Sequence, residues 1–157
     1  MHRFFKRKDP GPEVQSIGDV RVEEFDFSQL PEDPGVRTPI CEYNVNINDQ
    51  VRRVYLQKVP YQPSGYEFPK RKFEVSQCRR FNPSWFNEFG DWLEYSVEKD
   101  TAYFLYCYLF KTTKGNQAGG EAFVNEGFTN WKCKDRLNIH VGQHDNEHHK
   151  VRMNCET

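Results

Sequence analysis

Two stretches of this chain carry side chains suited to metal ligation: "AYFLYCYLF" (102–110), which contains Cys107, and "HVGQHDNEHH" (140–149), with His140, His144, His148 and His149. Thiolate sulfur and imidazole nitrogen are the donors zinc prefers, at ~2.3 Å and ~2.0 Å, and a structural site needs four of them converging tetrahedrally. A C-x2-C pair ahead of paired histidines would be a strong signal, but position 104, three residues before Cys107, is Phe. The first stretch therefore offers one sulfur where the chemistry wants two. Histidine spacing adds a second constraint. On a continuous helix His140 and His148 would lie ~12 Å apart along the axis, whereas His144 and His148 at i, i+4 share a face. Joint ligation by His140 and His148 requires a break, and Gly142, which tolerates positive φ, stands where that break is needed.

The elements that must position these residues begin at 81, where "FNPSWFNEFGDWLEYSVEKDTAYFLYCYLF" concentrates the large rings of the chain. "WLEYSVE" alternates Trp92, Glu94, Ser96 and Glu98 against Leu93, Tyr95 and Val97, and "AYFLYCYLF" is a near-continuous apolar run. The two read as strands of a hairpin turning at "KDT". "KTTKGNQAGGEAF" is a glycine-rich loop. "TNWKCKDRLNIHV" reads as a helix with a Thr129 N-cap, placing Trp131, Leu137 and Ile139 on one side and Lys132, Lys134 and Arg136 on the other. Trp85, Trp92, Phe110, Phe128 and Trp131 are expected to form the core. The expected fold is a small α+β unit in the order strand, strand, helix, occupying 80–157. A unit with so little apolar area is the usual client for structural zinc, because the metal substitutes for a core.

Upstream, "DPGPEVQSIGDVRVEEFDFSQLPEDPG" breaks every hydrophobic period with Pro, Gly and acidic residues, so 1–33 is expected to be a flexible arm. Its "RFFKRK" has the composition of a minimal nuclear import signal, a pattern that also arises by chance. Residues 34–79 form a proline-rich, basic lead-in with one short helix in "NINDQVRRVYLQK", where Val51, Val54 and Tyr55 fall at helical spacing. Lys70, Arg71 and Lys72, with Arg79 and Arg80, make the densest basic segment; such a segment contacts phosphates or is simply a solvated face.

The chain has 157 residues, a hydrophobic fraction of 36% and a formal net charge of -1, so polyanion affinity has to come from local patches. No apolar run approaches the roughly 18–20 residues of a membrane span, and no signal-peptide core opens the chain, so the composition reads as soluble and intracellular. Five scattered cysteines do not form a disulfide framework.

"RRFNPSWFNEFGDWLEYSVEKDTAYFLYCYLF", "GGEAFVNEGFTNWK" and "LNIHVGQHDNEHHK" together resemble the TTF-type zinc finger of transposases and transcription factors. "RFFKRK", "LPEDPG" and "NDQVRRVYLQKVPYQPSGYEFPKRKF" extend the likeness to plant zinc finger MYM-type protein 1-like proteins, descended from hAT transposases. The resemblance spans nearly the whole chain. It implies a two-Cys, two-His zinc module that binds DNA or protein partners in the nucleus, set ahead of a transposase-derived RNase H-like region. That region and its acidic catalytic residues are expected to be absent here, hence no enzyme, no membrane association and no small-molecule substrate. The family's second strand cysteine falls on Cys107, its first histidine on His140 and its last on His148. Its first cysteine falls on Phe104, which leaves a coordination position that Cys133, His144 or His149 would have to fill. Phosphate contacts would come from Lys70, Arg71, Lys72, Arg79 and Arg80 and, on the helix, Lys132, Lys134 and Arg136. The competing reading is a protein-interaction module or transposon remnant that has kept the aromatic fold and lost metal and DNA binding.

Overall fold

A computed structural model describes residues 24–110 and 126–142. Its elements are α1 (Asn48–Gln57), the ribbon β1 (Arg71–Glu74) and β2 (Gln77–Arg79), α2 (Ser84–Phe89), the hairpin β3 (Leu93–Ser96) and β4 (Thr101–Phe104), α3 (Leu105–Phe110) and α4 (Lys134–Gly142), with single 3-10 turns at Phe27–Gln29, Pro34–Val36, Ile40–Glu42 and Gly90–Trp92. This is the mixed α+β class expected from the sequence. The β3–β4 hairpin is antiparallel and in register, Leu93 opposite Phe104 and Ser96 opposite Thr101. Ala102 and Phe128 exchange backbone hydrogen bonds on the far side of β4, so the hairpin acquires a one-residue third strand. Gly127, at φ +75, makes that approach possible: a Cβ there would meet Thr101 and Tyr103 within 3 Å.

Two readings of the hairpin and its continuation need correction. Only Thr101–Phe104 is strand; Leu105–Phe110 is helical. Leu105 and Leu109, four apart, face one cluster with Leu30, Ile40, Val51 and Tyr55. Cys107, on the opposite side of the same turns, belongs to the larger aromatic cluster around Phe81, Tyr95 and Trp131. A helix buried on both sides is apolar all round, and over six residues that pattern is indistinguishable from a buried strand. Of the rings expected in the core, Trp85, Phe128 and Trp131 are buried, while Trp92 and Phe110 are only partly covered and pack at the margins of the two clusters. Packing also runs across position 79/80, since α1 and the 3-10 turns before it cover α3. Residues 24–33, assigned from sequence to an arm, include Leu30, only 5% exposed.

The second correction concerns β3, whose alternation suggests one wet face. Both faces are buried, Glu94 and Ser96 included. Ser96 meets Gly35 so closely that a Cβ would lie 2.2 Å from its hydroxyl. Glu94 is covered by the strap 58–63 and by Arg37. The Arg37 guanidinium donates to Glu94 at 2.6 and 2.9 Å and to the Glu32 carbonyl at 2.7 Å, and Glu94 also accepts from the Tyr61 amide at 3.0 Å. The two side chains are 3% and 1% exposed. Arg37 sits 4.5 Å from the ring centre of Tyr55 and 5.4 Å from that of Tyr108. Burial works against its charge, and the hydrogen bonds and charge of Glu94 outweigh that, raising its pKa. Asp33 completes the junction: one oxygen takes the Gly35 amide at the start of its turn, the other the amides of Val97 and Glu98.

Removing one member of a buried, hydrogen-bonded ion pair strands the other, at a cost of about 3–5 kcal/mol. Arg37→Met and Glu94→Gln are each expected to fall in that range in urea unfolding, and the double variant to cost at least about 1 kcal/mol less than the sum. Additive losses would show that the pair does not act as a unit.

Three phenols, two buried and one half-buried, give a second test. Burial pushes Tyr55 up to about 12, and burial raises Tyr108 and Tyr95 further above the ordinary range, Tyr95 also through its 2.5 Å hydrogen bond to Asp100. Their folded values lie above the unfolded ~10, so the stability they confer is intact below that pH and lost as pH climbs through the raised values. In an alkaline titration followed by phenolate absorbance, three of the eight tyrosines should ionise in the same step that abolishes near-ultraviolet circular dichroism. Ionisation of all eight with the folded signal intact would contradict the burial.

Candidate metal centre and nucleic-acid interface

Cys107 lies in the middle of α3 with 4% exposure, and His140 lies in the last full turn of α4, half-buried. Leu137, fully buried one turn earlier, holds α4 against the aromatic cluster and so brings His140 towards α3. The helix begins at Lys134, four residues later than a Thr129 cap implies. Thr129 is not its cap: Asn130 accepts from the Lys132 and Cys133 amides, the first through its side chain, and this local turn competes with helix over 129–133. Ile139, expected on the buried side, is 60% exposed.

The Cys107 sulfur and His140 Nε2 are 3.2 Å apart. The contact is that of a thiol–imidazole hydrogen bond; donors at zinc–sulfur and zinc–nitrogen distances of ~2.3 and ~2.0 Å in a tetrahedral site would stand ~3.5 Å apart, so the pair is close to zinc-ligand spacing and slightly inside it. A thiol and an imidazole also form the borderline-soft donor set that zinc favours. Phe104, last residue of β4, lies against the same imidazole, ring centres 4.9 Å apart at 37°. On the resemblance, position 104 is where a second sulfur would serve; here its ring packs on the imidazole instead. Cys133 does not join the pair: among the described residues no three His, Cys, Asp or Glu side chains gather to hold a metal. His144, His148 and His149 lie outside the described residues.

The eight basic residues singled out for phosphate contact separate into two groups. Arg71 is held by Asp100, through its side chain and backbone carbonyl, and by the Lys99 carbonyl. Lys132 pairs with Glu74 at 2.9 Å and Lys134 with Glu88 at 2.5 Å. Lys132 and its hydrogen bond hold the Glu74 carboxyl below its usual range. Lys70, Lys72, Arg79, Arg80 and Arg136 are exposed and have no carboxylate within ion-pair distance among the described residues.

Sequence reasoning missed Arg37, Glu94 and Asp100, the polar residues that hold the scaffold. The available signal was Glu94 itself, a carboxylate between Leu93 and Tyr95 in the most apolar part of the chain, which demands a cation from elsewhere. Asp100, at φ 49 in the hairpin turn, accepts from Tyr95 as well as Arg71.

Residues 121–157 match a family model described as the ZMYM1/FAM200, RNase-like domain. That match lies on the stretch the sequence reading gave to the end of a zinc finger. Over 136 residues, 83% of this chain, the sequence is 34% identical to zinc finger MYM-type protein 5 of Mus musculus. The proteins of the same name in Homo sapiens and Macaca fascicularis are each 33% identical over 125 residues, 71% of the chain. The chain spans about a fifth of the length of these relatives, 20% of the first and 18% of the other two. No solved structure matches. The matches support kinship with the ZMYM proteins and include neither a TTF-type finger nor an hAT element. Among the described residues no helix is long and apolar enough to cross a membrane.

If Phe104 occupies a ligand position, Phe104→Cys should tighten zinc at least tenfold in competition with a chromophoric chelator, and the zinc-free variant should be less stable than the parent, by about 3 kcal/mol, through the lost ring. Cys107→Ser and His140→Ala should release zinc from either background. Equal zinc in all preparations would mean that the ion sits elsewhere.

Proposed function

We propose that this chain is a nuclear, transposase-derived module that binds DNA through its basic surface and uses zinc, held by Cys107 and His140 with further donors from 143–157, as a structural brace. His148 is the next donor on the resemblance to TTF-type fingers, with His144 and His149 as alternatives. The observation that carries this is the 3.2 Å approach of Cys107 to His140, two residues 33 apart in sequence brought close to zinc-ligand spacing by α3 and α4. The likeness to zinc finger MYM-type proteins supports the choice of metal. The metal's contribution is to tie the end of α4 to α3; Leu137 and Phe104 orient the imidazole for it. A thiol 4% exposed beside a ring-covered imidazole suits a closed structural site rather than a reactive one; in this reading the module binds and does not catalyse. The second reading, a metal-free protein-interaction module, draws support from Phe104, which packs on His140 without needing an ion.

Binding of a labelled duplex oligonucleotide, measured by anisotropy, separates the two. With four phosphate contacts the affinity should fall about 10²-fold between 50 and 200 mM salt, because each contact releases a condensed counterion. Affinity that does not change over that range, or no binding at the lower salt, would favour the protein-interaction reading.

A further inference from the structure

The β1–β2 ribbon is anchored on one side and bare on the other. On the inner side Arg71 is tied to the β3–β4 turn through Asp100, and Phe73 packs against the aromatic cluster. Register pairs Lys72 with Cys78 on the opposite, outer side, and the next positions out, Lys70 and Arg80, alternate back to that side. All four are exposed. Glu74, the acidic residue of β1, is neutralised by Lys132, so the outer side keeps three uncompensated cations. At the tip, Val75 projects wholly into solvent at 107% relative exposure, the most exposed large apolar side chain described.

Resting on the DNA-binding reading above, we infer that this ribbon enters the major groove of B-form duplex DNA, with Lys70, Lys72 and Arg80 on the phosphates and Val75 against base edges. Charge complementarity selects a polyanion. The shape selects among polyanions: a two-stranded ribbon fits a groove about 12 Å wide, whereas the major groove of A-form RNA is too deep and narrow to admit it. An apolar tip belongs in a groove that displays thymine methyl groups, not on a phosphate surface. Arg71 is a positioning residue, since its guanidinium is spent on the Asp100 turn.

The test uses the full chain and a salt series with duplex DNA and with double-stranded RNA of the same sequence. The triple variant Lys70→Gln, Lys72→Gln, Arg80→Gln should flatten the slope of log affinity against log salt by about 2.7, at ~0.9 per lost contact. Lys132→Gln with Lys134→Gln should flatten it by less than one. Val75→Ser should weaken DNA binding several-fold with the slope unchanged. Near-ultraviolet circular dichroism checks that each variant retains the aromatic core. If the parent binds DNA but the triple variant keeps its slope, if Val75→Ser binds like the parent, or if RNA binds as tightly as DNA, the ribbon assignment is overturned while the DNA-binding reading stands. If the parent binds no DNA, both fall.

Discussion

The arrangement depends on a charged pair sealed inside the protein, Arg37 with Glu94. Glu94 would be untenable in the middle of a buried strand without a cation, and Arg37 satisfies it from 57 residues upstream, bringing the turn at Pro34–Val36 and the strap 58–63 over the otherwise wet face of β3. Tyr55 and Tyr108 enclose the guanidinium and hydrogen-bond to the Pro31 and Thr38 carbonyls on either side of it, so the segment that delivers Arg37 is pinned at three points. A chain with a modest apolar fraction thereby buries both sides of a hairpin with four-residue strands. Such a pair contributes less to raw stability than to uniqueness, since few alternative packings could satisfy both ions.

Local patterns were legible and long-range polar bonds were not. The α1 helix, the β3–β4 hairpin and its turn, and the concentration of rings after Phe81 all follow from periodicity and composition, which depend on near neighbours. The strand-to-helix change at Leu105 escaped notice because a six-residue apolar run satisfies either geometry, and only the presence of a second cluster decides between them. Asn130 delayed α4 by satisfying backbone amides locally, a competition that propensity alone does not rank. Of the candidate site, residue type supplied a pool of donors that holds both Cys107 and His140, and only the resemblance singled out these two; the ion pairs that occupy Arg71, Lys132 and Lys134 were not legible, because each partner is remote in sequence.

Phe104 gives the proposed metal centre its particular character. In a site with a full ligand set the ion itself fixes the imidazole. Here a ring already lies against His140, and Leu137 is buried beneath the same helix, so the Cys107–His140 spacing is set by packing. Preorganised donors lose little entropy on taking up a cation, which in the zinc reading would offset part of the affinity that a second sulfur would have supplied.

α3 is a party wall. Leu105 and Leu109 lean into one cluster and Cys107 into the other, and Arg52 from α1 caps its Leu109 carbonyl at 2.8 Å. Two small cores that share a single six-residue partition have no independent existence: loosening either one removes the backing from the other. Heat or denaturant should therefore meet one melting unit, and an ion gripping the sulfur on one side of the wall would be felt as slower amide exchange in the room next door, around Val51 and Tyr55.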